Sequence, residues 1–375
     1  MPRHILFVTG TRADFGKLEP LAAAARDAGF RVGIFVTGMH MLDRYGLTKL
    51  EVHRMPGVAV AEFLNQREGD PQDMIFAKTV IGFSDYVRQA RPDLIVVHGD
   101  RVEAMATAFV AATNNLRCAH VEGGEVSGTI DEVFRHCNTK LAALHLVSSD
   151  TARARVLAMG EDAASVAVIG SPEIDSHARP SGVDMAEVRA RYAIPFDDCG
   201  IAVFHPVTSE PDIGDQAAAF FGALEASGRA FVVIHPNNDP GCEDIMAVIR
   251  ALPGDRFRAL PSMRFAYFSE LLRNAAVIVG NSSAGVREAP FLGIPSLDVG
   301  TRQTNRARGP SLSRAAARDG AAIAAFLARQ WGRRYPRDTQ FGQGDAAAAF
   351  VAVLRDPATW DRPLQKRFHD RPPQG

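Results

Sequence analysis

Short, almost uninterrupted hydrophobic runs recur along the chain, separated by longer stretches in which apolar residues return every three or four positions. The runs at 4–10, 31–38, 93–100, 118–124, 145–149 and 166–170 predict strands, whereas 18–28 and 102–114 predict amphipathic helices. Strands that are apolar almost throughout, with helices between them, indicate a parallel sheet covered on both faces. Between 172 and 195 turn residues dominate. The alternation then resumes, with strands at 200–207, 230–236, 257–261, 276–281 and 294–299. The expected fold is α/β: two doubly wound Rossmann-like domains facing a cleft, at 1–175 and 198–357, joined by a linker at 176–197. The last stretch, roughly 346–371, reads as helical and is expected to fold back onto the first domain, with a C-terminal helix at 358–375 packing on it. The Ala-rich patches at 315–328 and 346–350 read as helix composition.

Composition removes several function classes. The 375 residues are 46% hydrophobic and 23% charged, with 42 Lys and Arg against 43 Asp and Glu. Such a chain is no disordered polyelectrolyte, and its net charge of −1 gives no global reason to bind nucleic acid or an anionic membrane. Four scattered cysteines suit reduced thiols in a cytoplasmic protein better than a disulfide framework or a zinc cluster. The first apolar run, 5–8, is too short for a signal-peptide core, and no uncharged stretch approaches the ~20 residues that span a bilayer.

Open α/β sheets bind ligands at the carboxyl ends of their strands, and the unusual residues fall there. The first strand ends in Gly10-Thr11-Arg12-Ala13-Asp14-Phe15-Gly16-Lys17, a glycine turn opening a helix, which offers N–H groups and two cations, Arg12 and Lys17, to an anion. His98-Gly99-Asp100-Arg101 follows a buried strand, where Asp100 alone reads as a helix cap. The next strand delivers His120-Val121-Glu122-Gly123-Gly124-Glu125, followed by Asp131. Asp100, Glu122 and Asp131, from adjacent connections of one sheet, suit proton transfer, because grouped carboxylates resist ionising together. Arg135 reads equally well as the partner of Asp131 in an ordinary surface bridge.

In the second half, His205-Pro206 and His235-Pro236-Asn237-Asn238 each end a strand, without metal-ligand spacing. Gly280-Asn281-Ser282-Ser283-Ala284-Gly285 then joins a strand to a helix, and its hydroxyls and N–H groups suit a pyrophosphate. Glu288, further along, is placed to accept from ribose hydroxyls, and Arg302 adds a cation.

Taken together, these motifs resemble the hydrolysing UDP-N-acetylglucosamine 2-epimerases of bacterial sialic acid synthesis. The likeness spans essentially the whole chain, including Thr301-Arg302-Gln303 and Lys366-Arg367-Phe368. Non-hydrolysing relatives carry Arg-Pro-Glu where this chain has Arg12-Ala13-Asp14, and they lack Gly123-Gly124-Glu125. A cousin acting on nucleotide-linked N,N′-diacetylbacillosamine shares most of the motifs. The resemblance implies a GT-B fold, a homodimer, a UDP-sugar substrate, and neither metal nor NAD or other cofactor. It also implies Asp100, Glu122 and Asp131 as acid/base residues, with Arg12, Lys17, His205, Asn238, Ser282, Ser283, Glu288 and Arg302 at the substrate.

Overall fold

Residues 2–127, 130–207, 210–237 and 239–370 are described by a computed structural model. Its backbone forms two compact units. The first comprises 1–125, 130–175 and 341–375, and the second 126–129 and 176–340.

In the first unit, seven strands form one parallel sheet: β1 (His4–Thr9), β2 (Arg31–Val36), β3 (Ala59–Glu62), β4 (Leu94–His98), β5 (Cys118–Val121), β6 (Leu144–Val147) and β7 (Val166–Val168). They lie in the order β3-β2-β1-β4-β5-β6-β7. Side chains alternate across the pleat, so β1 feeds two cores at once. Ile5 and Phe7 pack with Phe15, Leu18 and Leu21 of the Arg12–Asp27 helix on one face. Leu6 and Val8 pack with Phe83, Val87 and Ala108 of the helices Gln72–Ala90 and Val102–Thr113 on the other.

Six strands make the second parallel sheet: β8 (Gly200–Val203), β9 (Phe231–Ile234), β10 (Phe257–Leu260), β11 (Ile278–Gly280), β12 (Ser296–Val299) and β13 (Leu312–Ala315). Their order is β10-β9-β8-β11-β12-β13. The same alternation holds: Ala202 faces one cluster with Phe220 and Phe221, while Ile201 and Val203 face another with Leu271 and Leu272. In both sheets the strand order reverses beside the first strand of the unit, between β1 and β4 and between β8 and β11. Those reversals are where doubly wound sheets open a crevice.

Two domain boundaries differ from the sequence expectation. Residues 176–197 are no plain linker, because they contain the Met185–Tyr192 helix, and Val188, Ile194 and Phe196 are buried in the second unit's core. The chain also returns to the first unit at Phe341 rather than at 358. The Ala346–Arg355 helix supplies Phe350 and Leu354 to the core beneath β1. Asp175 fixes its start, accepting hydrogen bonds from the N–H groups of Ala346 (2.8 Å) and Ala347 (2.7 Å). Among the described residues, no helix is long and apolar enough to cross a membrane.

Candidate active site

Glu122 follows β5 directly and adopts φ = 64°, a left-handed backbone that costs a non-glycine residue about 1–2 kcal/mol. Its N–H is satisfied by the Leu146 carbonyl at 2.9 Å. Gly124 must follow closely, since a Cβ there would lie 2.3 Å from the Ala152 carbonyl oxygen. The carboxylate of Glu122, only 3% exposed as a residue, is gripped from several elements. Lys17 Nζ donates to Oε2 at 3.1 Å, and Ser171 Oγ lies 2.6 Å from Oε1. The same lysine lies 3.4 Å from Glu173, and the same serine 2.8 Å from it. One hydroxyl hydrogen serves one carboxylate at a time, so Ser171 links two buried acids. His98 Nε2 lies 3.1 Å from Glu122 Oε2 but is not aligned to hydrogen-bond there.

Asp100, on the β4 connection, is met by the Arg135 guanidinium, whose other nitrogen donates to the Glu125 carbonyl at 3.2 Å. Arg135 is 2% exposed, so the surface-bridge reading fails for it. The turn before Asp100 is equally held. Gly99 sits at φ = 66°, and its carbonyl accepts from His120 Nε2 (2.8 Å) and from Asn138 Nδ2 (3.1 Å). Burial pushes the His120 ring down to about 3, so it serves as a neutral donor. Asp131 opens the Asp131–Leu141 helix one turn before Arg135.

At the start of the Arg12–Asp27 helix, the structure differs from an open anion site. Asp14 itself accepts from the N–H groups of Gly10 (3.0 Å) and Thr11 (3.1 Å), while Thr11 Oγ1 accepts from the Asp14 N–H. This reciprocal capping box uses the donors that a phosphate would need. Arg12 contacts Glu51 at 3.0 Å. Lys17 is engaged by Glu122 and Glu173, as described.

In the second unit, the Asn281 side chain bridges β11 to β8: its oxygen accepts from the His205 N–H (2.7 Å), and its nitrogen donates to the His205 carbonyl (2.8 Å). His205 Nδ1 accepts from the Asn237 N–H at 3.0 Å, which leaves Nε2 as the protonated nitrogen. Burial, reinforced by Arg302, lowers this ring to about 3. It is therefore a neutral hydrogen-bond donor at physiological pH. Ser282 caps a helix of one turn, Ser283–Val286, by accepting from the Ala284 N–H at 3.3 Å. Gly280 at φ = 128° makes the approach possible, since a Cβ would lie 1.9 Å from the Val203 carbonyl oxygen. The Asn281 carbonyl accepts from Arg302 Nη1 (3.4 Å) and Gln303 Nε2 (2.9 Å). Glu288 Oε2 lies 2.6 Å from His177 Nε2, a partner that sequence reasoning missed. Asn238 lies outside the described residues.

The sequence candidates thus gather into two groups, one in each unit. Asp100, Glu122, Asp131 and Lys17 stand at or near the carboxyl ends of β4 and β5, and His205, Ser282, Ser283 and Arg302 stand at those of β8, β11 and β12. Ser171, Glu173, His98 and Arg135 were overlooked as site residues. The first two lie just beyond β7 in Gly170-Ser171-Pro172-Glu173, where strand-end position was the available signal.

Comparison with known proteins fits this arrangement. The family model described as UDP-N-acetylglucosamine 2-epimerase matches residues 22–355. A Neisseria meningitidis serogroup B relative, named UDP-N-acetylglucosamine 2-epimerase, is 41% identical over 98% of this chain and 99% of its own length. The UDP-N,N′-diacetylbacillosamine 2-epimerase (hydrolyzing) of Legionella pneumophila is 31% identical over 82% of this chain and 84% of its own. Among solved structures, the Methanocaldococcus jannaschii UDP-GlcNAc 2-epimerase in complex with UDP-GlcNAc and UDP superimposes with a TM-score of 0.78 at 17% identity, covering 94% of this chain and 99% of that one. That likeness shows the fold, GT-B-like with two Rossmann-like domains. By the family match and the near full-length similarity, the chain belongs to the UDP-N-acetylglucosamine 2-epimerase family.

Proposed function

We propose that the protein is a hydrolysing UDP-N-acetylglucosamine 2-epimerase, converting UDP-N-acetylglucosamine and water to N-acetylmannosamine and UDP for sialic acid synthesis in the cytoplasm. The observation that carries the reading is the buried Glu122 carboxylate, on a strained backbone, held by Lys17 and Ser171 with His98 beside it. A carboxylate so fixed is preorganised for proton transfer.

The C2 hydrogen of the sugar has no adjacent carbonyl to acidify it, so its removal must accompany departure of UDP. Glu122 takes that proton while the C1–O bond to diphosphate breaks, and the electron pair becomes the C1–C2 double bond of 2-acetamidoglucal. Water then adds its oxygen to C1, losing a proton to a carboxylate, as C2 receives a proton on the opposite face. Asp100 and Asp131 serve this second step. Charge building on the departing diphosphate is met by Ser282 and Ser283, by the neutral His205 donor, and by Arg302 and Arg12. Asn238 joins the same substrate contacts, and Glu288, braced by His177, meets the ribose. Lys17 acts on the substrate through Glu122. A homodimer is part of the reading.

Incubation with UDP-N-acetylglucosamine alone tests the proposal, and free N-acetylmannosamine with stoichiometric UDP is the expected outcome. Formation of UDP-N-acetylmannosamine would mean the non-hydrolysing reaction. Turnover of UDP-N-acetylglucosamine only when a sugar acceptor is added would mean a glycosyltransferase. The similarity to the Legionella enzyme makes the diacetylbacillosamine nucleotide the substrate to try second, and turnover of that compound alone would replace the sugar in this reading.

A further inference from the structure

The Asp131–Leu141 helix is anchored in an unusual way. The residues it buries are Arg135, Asn138 and Thr139, all polar, while Val133 on the same helix is 52% exposed. Its apolar contact with the core comes from the partly buried Leu141 and the cap Ala142 at the C-terminal end, so nearer the other end its position depends on polar contacts at named points. Those contacts run toward the proton-transfer residues: Arg135 to Asp100, Asn138 to the Gly99 carbonyl, and Thr139 Oγ1 to His120 Nδ1 at 3.2 Å. Asp131 is its first residue.

The opposite end is held from the far C-terminus of the chain. Lys366 Nζ lies within hydrogen-bond reach of the carbonyls of Thr139 (2.7 Å), Lys140 (2.9 Å) and Ala142 (2.6 Å), in the last turn of that helix and its cap, and shares its three hydrogens among these and Glu161. It also lies 2.6 Å from Glu161 Oε2, and Lys140 reaches Glu161 Oε1 at 2.6 Å. His145 Nε2 completes the group at 2.9 Å from Glu161 Oε2. Burial works against the Glu161 charge, but hydrogen bonds from His145, Lys140 and Lys366 outweigh it and hold the carboxyl down at about 2. Cations commonly sit near helix C-termini, where they complement the dipole. This one reaches three carbonyls at the end of a helix whose buried residues are all polar and whose Leu141 is only partly buried against the core, and the helix spans only about 16 Å from clamp to site.

We propose that Lys366 is a positioning residue for proton transfer: by clamping the C-terminal end of the Asp131–Leu141 helix, it fixes Asp131 and the Arg135–Asp100 contact at the other end. This rests on the function proposed above for those carboxylates. Small displacements of reacting groups cost rate far more than they cost binding. Lys366→Met in the full-length protein is therefore expected to lower kcat about 10- to 100-fold, with KM and UDP affinity within about 2-fold. Amide exchange across 131–141 should accelerate about 10-fold, while exchange in the second unit stays unchanged. Lys366→Arg should recover part of both losses. If Lys366→Met does not fold, Lys366→Gln carries the same comparison.

Wild-type exchange across 131–141 in a folded variant would overturn the clamp. So would a kcat that falls only in proportion to the folded fraction. The exchange measurement needs no substrate, which separates the two ideas. Accelerated exchange in a protein whose wild type lacks epimerase activity would uphold the clamp and sink the reaction, and unchanged exchange in an active enzyme would do the reverse.

Discussion

Replacing Glu122 by glutamine should reduce kcat by about 10³-fold, within the range that a positioned acid or base contributes. Glutamine preserves the size of the side chain and can still receive hydrogen bonds from Lys17 and Ser171, so the pocket around it survives. It cannot take a proton from carbon. UDP is bound, in this account, by the second unit, whose Asn281–His205 link shares no residue with the Glu122 cluster. UDP affinity measured by calorimetry is accordingly expected to stay within about 2-fold, because separate sites with no shared partners behave additively. Turnover near the wild-type rate would remove Glu122 from the chemistry.

The second large effect is expected at Arg135. Its guanidinium joins the Asp100 carboxylate to the Glu125 carbonyl, a two-point contact that a lysine ammonium cannot reproduce. Arg135→Met should lower kcat about 10²-fold by releasing Asp100 from its working position. Lysine at the same site should rescue little. The stability loss should be modest, about 1–2 kcal/mol by urea denaturation, because the Asp100 side chain remains 28% exposed and water can replace part of the contact. Full activity in Arg135→Lys would show that charge alone suffices.

The interior of both sheets was legible because β1, β4, β8 and β11 are buried on two faces and are apolar through their middles, with polar residues only at the ends. The edge strands β3 and β13 were not, since Ala59–Glu62 and Leu312–Ala315 are partly exposed and carry Glu62 and Arg314 at positions that a covered strand would make apolar. Strand-end position exposed Asp100, Glu122 and His205 to sequence reasoning. Partnership was hidden. Nothing in Thr11-Arg12-Ala13-Asp14 announces that Asp14 folds back on the Gly10 and Thr11 amides, although a Thr with an acid three residues later is the pattern of a capping box. Lys17 looked like a phosphate ligand until its contacts with two buried carboxylates were seen. Ser171 and Glu173 are about 50 residues from Glu122 along the chain, and only the sheet, with β7 two strands from β5, brings them together. The return of the last stretch to the first unit was legible in the helical reading of 346–371, but its start at Phe341 and its anchor were not, since an Ala-rich helix names no partner until Asp175 is found capping it.

The central claim is that the C2–H bond breaks and re-forms as UDP leaves. Running the reaction in deuterated water and examining the released sugar by mass spectrometry and proton NMR tests it directly. The account predicts N-acetylmannosamine carrying one deuterium at C2, because the proton returned to that carbon comes from a carboxyl group in exchange with solvent. N-acetylmannosamine with hydrogen retained at C2 would contradict it.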